Sequence, residues 1–207
     1  MKLSKSFWAV AVILLVLIAD QSLKIWIKTN MVLYESIHIT DWFQIFFTEN
    51  NGMAFGIEVI DKMFLSVFRI IASGVIVYYL YRIVKRKFST GYIICISLIF
   101  AGAVGNIIDS VFYGMIFNSS NGQLATMFPA GGGYATCLHG RVVDMFYFPI
   151  IKSTWPAWMP FWGGEKFIFF SPVFNLADSA ISVGVAILIL FYRKALAHDF
   201  ETKKKDA

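Results

Sequence analysis

A carboxylate lies inside an apolar stretch near the C-terminal end of the sequence. The run over about 171–192 is interrupted by four polar residues: Asn175, Asp178, Ser179 and Ser182. Their spacing of i, i+3, i+4 and i+7 predicts that they share one helix face. A carboxylate in a membrane-spanning helix is costly and usually faces a partner or a water-filled cavity. If that partner is a second carboxylate, the two share one proton, so one can act as a general base and the other as an acid.

The composition predicts an integral membrane protein. The chain has 207 residues, 58% hydrophobic and 15% charged, with a mean hydropathy of +0.67. Such a composition is too apolar for an ordinary soluble domain. The formal charge of +5 does not indicate nucleic-acid binding, because the basic residues cluster beside apolar runs. We expect neither a metal ion nor a cofactor, since the His and Cys residues form no ligand motif.

Four apolar runs predict an α-helical membrane protein, a bundle of four transmembrane helices in a single domain. The helices are expected at about 7–27, 63–81, 92–112 and 171–192. A helix of about 20 residues crosses the ~30 Å hydrocarbon core of a bilayer.

Two longer segments between the helices predict a small extracytoplasmic β-sheet. They extend over about 28–62 and 113–170, and both contain aromatic and β-branched runs, such as 37–47 and 142–148. Within the second segment, residues at about 115–139 are rich in Gly, Ser and Thr. We call this stretch the insertion and expect it to be mobile.

The basic residues predict that both chain termini lie in the cytoplasm. Most of the 18 Lys and Arg residues fall on one side of the four-helix arrangement, and cytoplasmic segments are enriched in Lys and Arg. Those on the expected cytoplasmic side are Lys2, Lys5, Arg82, Lys85, Arg86, Lys87, Arg193, Lys194, Lys203, Lys204 and Lys205.

This topology gathers polar residues near the extracytoplasmic surface. They are Asp20 and Lys24 at the end of the first helix, Asn106 and Asp109 in the third, Arg141 and Asp144 in the second outer segment, and Asp178 in the fourth helix. We expect Asp178 about two turns, roughly 10 Å, inside its helix. Asp20 and Lys24, at i and i+4, are interpreted as an intrahelical ion pair. A polar layer on one side predicts a site at that surface.

Other interpretations of these residues remain open. Asn106 and Asn175 would also suit interhelical hydrogen bonds in a protein without catalytic activity. A proton-coupled carrier likewise needs intramembrane carboxylates. A carrier should place them near the midplane with polar residues leading to both sides, a pattern that this sequence does not show.

Five stretches resemble, in order, the motifs of the lipoprotein signal peptidase (signal peptidase II) family. They are Asp20-Gln21-Ser22-Leu23-Lys24, Glu49-Asn50-Asn51-Gly52-Met53-Ala54-Phe55, Gly105-Asn106-Ile107-Ile108-Asp109, Val142-Val143-Asp144-Met145-Phe146 and Phe174-Asn175-Leu176-Ala177-Asp178-Ser179. The resemblance implies an aspartic endopeptidase of the bacterial inner membrane. Its partners would be membrane lipids and lipidated prolipoproteins, cut on the amino side of a diacylglyceryl-modified Cys. We expect a monomer, and the polar layer predicts an active site near the extracytoplasmic face.

The resemblance also implies roles for individual residues. Asp144 and Asp178 match the catalytic pair of the family. Polar residues around the site are matched by Asn51, Asn106 and Asn175, and supporting residues by Asp20, Lys24 and Asp109. Asn carboxamides are neutral donors suited to stabilise a developing oxyanion.

Two features depart from the family pattern. Ser110 stands where the family usually has Arg, and the insertion separates Asp109 from Asp144. We expect Arg141 to take over substrate anchoring, because a turn or helical start there would place its side chain on the same side as that of Asp144. A guanidinium can hold a carbonyl or phosphate group with two hydrogen bonds.

Overall fold

The fold is taken from a computed structural model, which describes residues 3–51 and 62–195. Parts of three sequence predictions lie outside these residues: the motif positions 52–55, His198, and the basic residues Lys2, Lys203, Lys204 and Lys205. In chain order the helices and strands are α1 (Lys5–Asn30), β1 (Ser36–Thr40), β2 (Phe43–Asn50), α2 (Lys62–Lys85), α3 (Thr90–Ile108), a π-helical turn (Asp109–Tyr113), α4 (Gly114–Ile116), β3 (Val142–Tyr147), β4 (Ile151–Thr154), β5 (Lys166–Phe169), β6 (Val173–Phe174) and α5 (Leu176–Phe191).

Two compact units divide the chain. The helical unit comprises Met1–Gln21, Ser66–Ile108 and Leu176–Ala207, and the sheet unit comprises Ser22–Leu65 and Asp109–Asn175. Each unit is described separately below, and the single membrane domain stays a prediction.

Three helices in the described part of the chain are long and apolar enough to cross a membrane. They extend over Lys5–Asn30, Lys62–Lys85 and Thr90–Ile116, and α5 is a shorter apolar helix. Exposed apolar side chains on these helices, such as Leu15 at 70% exposure, are expected where helices face lipid tails rather than water. The third helix is longer than predicted, because the π-helical turn continues it to Ile116.

The helical unit has a core to which four helices contribute. Ala9 of α1, Leu80 of α2, Tyr92 of α3 and Leu188 of α5 are buried together in one apolar cluster. The hydroxyl groups of Tyr79 and Tyr92 lie 2.5 Å apart, so one phenol donates a hydrogen bond to the other beside this cluster.

Close packing of α3 against α5 depends on small residues. A Cβ atom at Gly102 would overlap the backbone oxygen of Ala177, and one at Gly105 would lie 3.2 Å from the Cβ of Ala177. These glycines therefore allow the two helices to approach closely.

The fourth helix begins later than the sequence predicted. It starts at Leu176 rather than at about 171, because Val173 and Phe174 form β6 and pair with Tyr147 and Phe146 of β3. Apolar residues therefore continue from a strand into a helix, and hydropathy alone does not mark that boundary.

The sheet unit contains a four-stranded antiparallel sheet in the order β1-β2-β3-β6, and a separate hairpin of β4 and β5. The sheet confirms that the segments predicted to be extracytoplasmic contain strands. β3 is buried along most of its length, with Val143 at 0% and Met145 at 1% exposure. A strand covered on both faces is a rigid support for a polar side chain.

The insertion is folded onto the sheet unit, which corrects the expectation of a mobile segment. Ala125 donates a backbone hydrogen bond to Lys28, and Leu33 donates one to Ser120, both of 3.1 Å. Phe117 is fully buried. A Cβ atom at Gly133 would overlap the backbone oxygen of Gly114. Close backbone approach therefore accounts for Gly133 better than flexibility does.

We expect Gly102→Ala to destabilise the helical unit by about 1–3 kcal/mol, because the added methyl group displaces α5 from α3. Gly74→Ala in α2 is the matched control, since no atom lies within 4 Å of its Cβ position, and alanine favours a helix by about 0.5–1 kcal/mol. Thermal unfolding in detergent would compare the variants. Equal midpoints for the two would contradict close packing at Gly102.

Candidate active site

Asp144 is a buried carboxylate in the middle of β3. It is 2% exposed, and both of its oxygens accept hydrogen bonds from side-chain amides. Asn175 donates to one oxygen at 2.7 Å, and Asn50 donates to the other at 3.2 Å. These two donors satisfy the carboxylate without bringing a positive charge to it.

The register of the sheet explains the contact between Asn50 and Asp144. Asn50 pairs with Val142, two residues before Asp144. Asn50 and Asp144 are therefore diagonal neighbours on one face of the sheet. Glu49 pairs with Val143 on the opposite face, because successive side chains of a strand alternate.

Asn175 lies between β6 and α5, and it is fully buried. Its side-chain nitrogen is also 3.3 Å from the carbonyl oxygen of Val143, so it contacts both the backbone of β3 and Asp144. The expectation that Asn175 shares a helix face with Asp178 is wrong, because the pairing of β6 with β3 keeps it outside the helix.

Asp178 lies in the first turn of α5 and is half-buried. The predicted depth of two turns is wrong, since the helix begins at Leu176. A carboxylate in this turn interacts favourably with the helix dipole. Asn106 of α3 donates a hydrogen bond of 2.8 Å to Asp178.

Asp20 supports the start of α5. One of its oxygens accepts a 3.0 Å hydrogen bond from the backbone amide of Ala177, and the other accepts one of 3.1 Å from Gln21. The first amides of a helix have no partner within the helix, so Asp20 satisfies one beside Asp178. The ion pair of Asp20 with Lys24 stays a prediction.

Lys24 and Asp109 form a fully buried ion pair in the sheet unit. The Nζ of Lys24 lies 2.9 Å from an oxygen of Asp109, and both side chains are 0% exposed. The same oxygen accepts a 3.2 Å hydrogen bond from the backbone amide of Val143. The pair is therefore connected to β3 at the residue that precedes Asp144.

Asn51 follows β2 and has a different contact from Asn50. Its side-chain oxygen accepts a 3.4 Å hydrogen bond from Lys62. The sequence motif singled out Asn51 and passed over Asn50. Alternation along a paired strand is the signal that distinguishes the two, but it applies only once the partner strand and its register are known.

Arg141 does not share a side with Asp144, which corrects the sequence argument. No turn or helix begins at this position, because β3 starts at Val142. Arg141 lies on the face of Glu49, and its guanidinium is 3.2 Å from a Glu49 oxygen. It also lies 5.7 Å from the centre of the Tyr134 ring. Arg141, which the sequence predicted to anchor the substrate, therefore contacts Glu49 of β2 and Tyr134 of the insertion.

A cluster of polar side chains around a buried ion pair on this face was missed from the sequence. We call it the Lys28 cluster, and its members are Lys28, Glu49, Ser120, Tyr134 and Arg141. Lys28 is 2.5 Å from Glu49 and 3.0 Å from the hydroxyl of Ser120. Lys28 follows Lys24 by four residues, so one helix face carries both amines. This spacing was the sequence signal from which the burial of Lys28 could have been predicted.

The charge state of the Lys28 cluster follows from its contacts. Burial tends to raise the pKa of Glu49, but the charge and hydrogen bond of Lys28, with smaller contributions from Arg141, leave that pKa below its ordinary value. Burial raises the pKa of Tyr134. At neutral pH the cluster therefore holds a carboxylate and a neutral phenol.

In the described ranges, residues 3–51 and 62–195, no group of three or more His, Cys, Asp or Glu side chains is arranged to hold a metal ion. The chemistry available to the described residues is that of carboxylates and carboxamides: Asp144 with Asn50 and Asn175 in one unit, and Asp178 with Asn106 in the other.

Lys24→Met and Asp109→Asn should each lower the free energy of unfolding, by about 3–5 kcal/mol, because each leaves the other charge buried without its partner. The double variant should lose less than the sum of the two single losses. Chemical or thermal unfolding in detergent measures all three. Additive losses would show that the two groups do not act as a pair.

The comparisons with known proteins agree on one family. The profile described as signal peptidase (SPase) II matches residues 12–193. The lipoprotein signal peptidase of Porphyromonas gingivalis is 55% identical, over 94% of this chain and 86% of its own length. That of Amoebophilus asiaticus is 36% identical, over 94% of this chain and 81% of its own length.

A solved structure, described as a bacterial membrane enzyme determined by the in meso method at 2.3 Å resolution, is also similar. It has a TM-score of 0.60 and 27% identity, and the match covers 94% of this chain and 90% of that one. The chain belongs to the signal peptidase II family.

Proposed function

We propose that this protein is an aspartic endopeptidase of the bacterial inner membrane, with Asp144 and Asp178 as its catalytic pair. Its family makes it a membrane-embedded protease of lipoprotein processing. The same membership favours this function over the proton-coupled carrier that intramembrane carboxylates also suggest.

The observation that best supports the proposal is the environment of each carboxylate within its own unit. Asn175 and Asn50 donate to Asp144, and Asn106 donates to Asp178. Amide donors orient a carboxylate without adding a positive charge, whereas an adjacent cation would favour ionisation of both members. Carboxamide donors are thus compatible with two Asp residues that share one proton.

The proposed reaction is general acid–base hydrolysis of a peptide bond. The ionised Asp takes a proton from a water molecule while the protonated Asp donates a hydrogen bond to the scissile carbonyl. The water oxygen attacks the carbonyl carbon. The C–N bond then breaks as the Asp that took the proton from water gives it to the leaving nitrogen. The pair titrates as a unit, so neither Asp is assigned the proton permanently.

The proposed substrate is a prolipoprotein whose signal peptide lies in the membrane as a helix. Relatives named lipoprotein signal peptidase support this substrate class. Cleavage would fall on the amino side of the Cys that carries the diacylglyceryl group. The lipid keeps that bond at the membrane surface, where a half-buried acid such as Asp178 in the first turn of α5 can reach it.

The proposed orientation places both termini in the cytoplasm and the sheet unit outside. Arg82 and Lys85 in the last turn of α2 support the cytoplasmic assignment of that helix end. Aromatic residues of the sheet unit, including Trp158 at 80% exposure, suit the interface between lipid and water.

Asp144→Asn and Asp178→Asn should each lower cleavage of lipidated prolipoprotein by at least about 10²-fold, because each removes one half of the acid–base pair. Purified variants would be assayed with lipidated and unlipidated substrate. Asp41→Asn is the matched control, since its side chain is fully exposed in the sheet unit. Substantial turnover by either active-site variant, with the control unchanged, would overturn the assignment.

Cys137 should react with a membrane-impermeant maleimide added from the extracytoplasmic side. It is an exposed free thiol, whereas Cys95 is buried. A Lys85→Cys variant in a Cys137→Ser background should react only after the cytoplasmic side is opened. The reverse labelling pattern would contradict the orientation.

A further inference from the structure

The Lys28 cluster removes a complete ion pair from solvent at a place that the proposed reaction does not use. The side chain of Lys28 is 0% exposed and that of Glu49 is 4% exposed. The Nζ of Lys28 also lies 5.2 to 5.9 Å from the ring centres of Phe47, Phe117 and Tyr134. Rings at this distance attract a cation, so Lys28 is held by charge and aromatic contacts together.

The cluster joins three separate parts of the sheet unit. Lys28 belongs to α1, Glu49 to β2 and Ser120 to the insertion. The Ser120 hydroxyl lies 3.0 Å from Lys28 and 3.2 Å from Glu49. The backbone of the insertion adds hydrogen bonds to the same region, from Leu33 to Ser120 and from Ala125 to Lys28, both of 3.1 Å.

Glu49 and Asn50 are consecutive residues of β2, so their side chains lie on opposite faces of the sheet. Glu49 faces the Lys28 cluster, and Asn50 donates to Asp144 on the other face of the sheet. Holding Glu49 therefore fixes the rotation of the strand about its own axis at this point. That rotation decides where the Asn50 carboxamide lies.

We propose that Lys28, Glu49 and Ser120 are positioning residues, which hold the end of β2 so that Asn50 meets Asp144 in the geometry needed for peptide hydrolysis. This inference rests on the proposed function. It gives the insertion a role in the reaction, since Ser120 completes the cluster. None of the three residues contacts the substrate under this proposal.

The first test is the kinetics of Glu49→Gln, which keeps the shape of the side chain and removes its charge. We expect kcat to fall by up to about 10²-fold, as for a misplacement of about 1 Å at a reacting group, while KM changes little. Ser120→Ala should cause a smaller loss of the same kind. The matched controls are Glu35→Gln and Ser119→Ala, at exposed positions of the same unit.

The second test is a double-variant cycle with Asn50→Ala. If the cluster acts through Asn50, Glu49→Gln should cause little further loss of kcat once the Asn50 amide is removed. If Glu49→Gln caused only a structural defect, it would lower kcat by the same factor in the presence and in the absence of the Asn50 amide. Folded protein would be quantified by size-exclusion chromatography and circular dichroism in detergent.

The outcomes separate this inference from the proposed function. Cleavage by the unmodified protein and its loss in Asp144→Asn establish the function independently. Wild-type kcat in folded Glu49→Gln, or additive losses in the cycle, would overturn the positioning role alone. If Glu49→Gln does not fold, Ser120→Ala carries the same cycle, because it removes only one hydroxyl group.

Discussion

The cost of removing charge from water is a strong constraint on this protein. Its sheet unit buries two lysines, and each has a carboxylate within 2.9 Å: Asp109 for Lys24 and Glu49 for Lys28. An unpaired charge in such surroundings would destabilise the fold by several kcal/mol. Pairing therefore determines which strands, turns and helix ends must meet. Asp109 connects α1 to β3, and Glu49 connects it to β2.

The same cost applies to the acidic residues of the candidate site, where hydrogen bonds from amides offset it. Asp144 is nearly as buried as the two ion pairs, yet its described hydrogen-bond donors are amides. A lysine in their place would hold the carboxylate permanently ionised. Asp109 and Glu49, which pair with lysines, thus differ from Asp144, to which two carboxamides donate.

Much of this arrangement follows from the sequence. Hydropathy locates the long helices, β-branched and aromatic runs locate the strands, and a carboxylate in an apolar run identifies Asp178. These features are local, because each depends on residue types within one continuous stretch of the chain. The motifs of the family identify Asp144, which no local pattern singles out.

The errors concern relations between distant residues. Asn50 and Arg141 could be assigned to faces only through the pairing of β2 with β3, and strand register is not encoded in either strand alone. The start of α5 was misplaced because β6 competes for the same apolar residues. The glycines of the insertion suggest mobility, although Gly133 permits close backbone packing.

The alternation of Glu49 and Asn50 has a consequence for how faithfully the chain folds. A slip of one residue between β2 and β3 would exchange the two faces. Glu49 would then meet Asp144, two carboxylates in apolar surroundings, and Lys28 would face an amide. Both exchanges are electrostatically unfavourable. The same two adjacent residues therefore discriminate against the nearest mispaired sheet during membrane assembly, before any substrate is encountered.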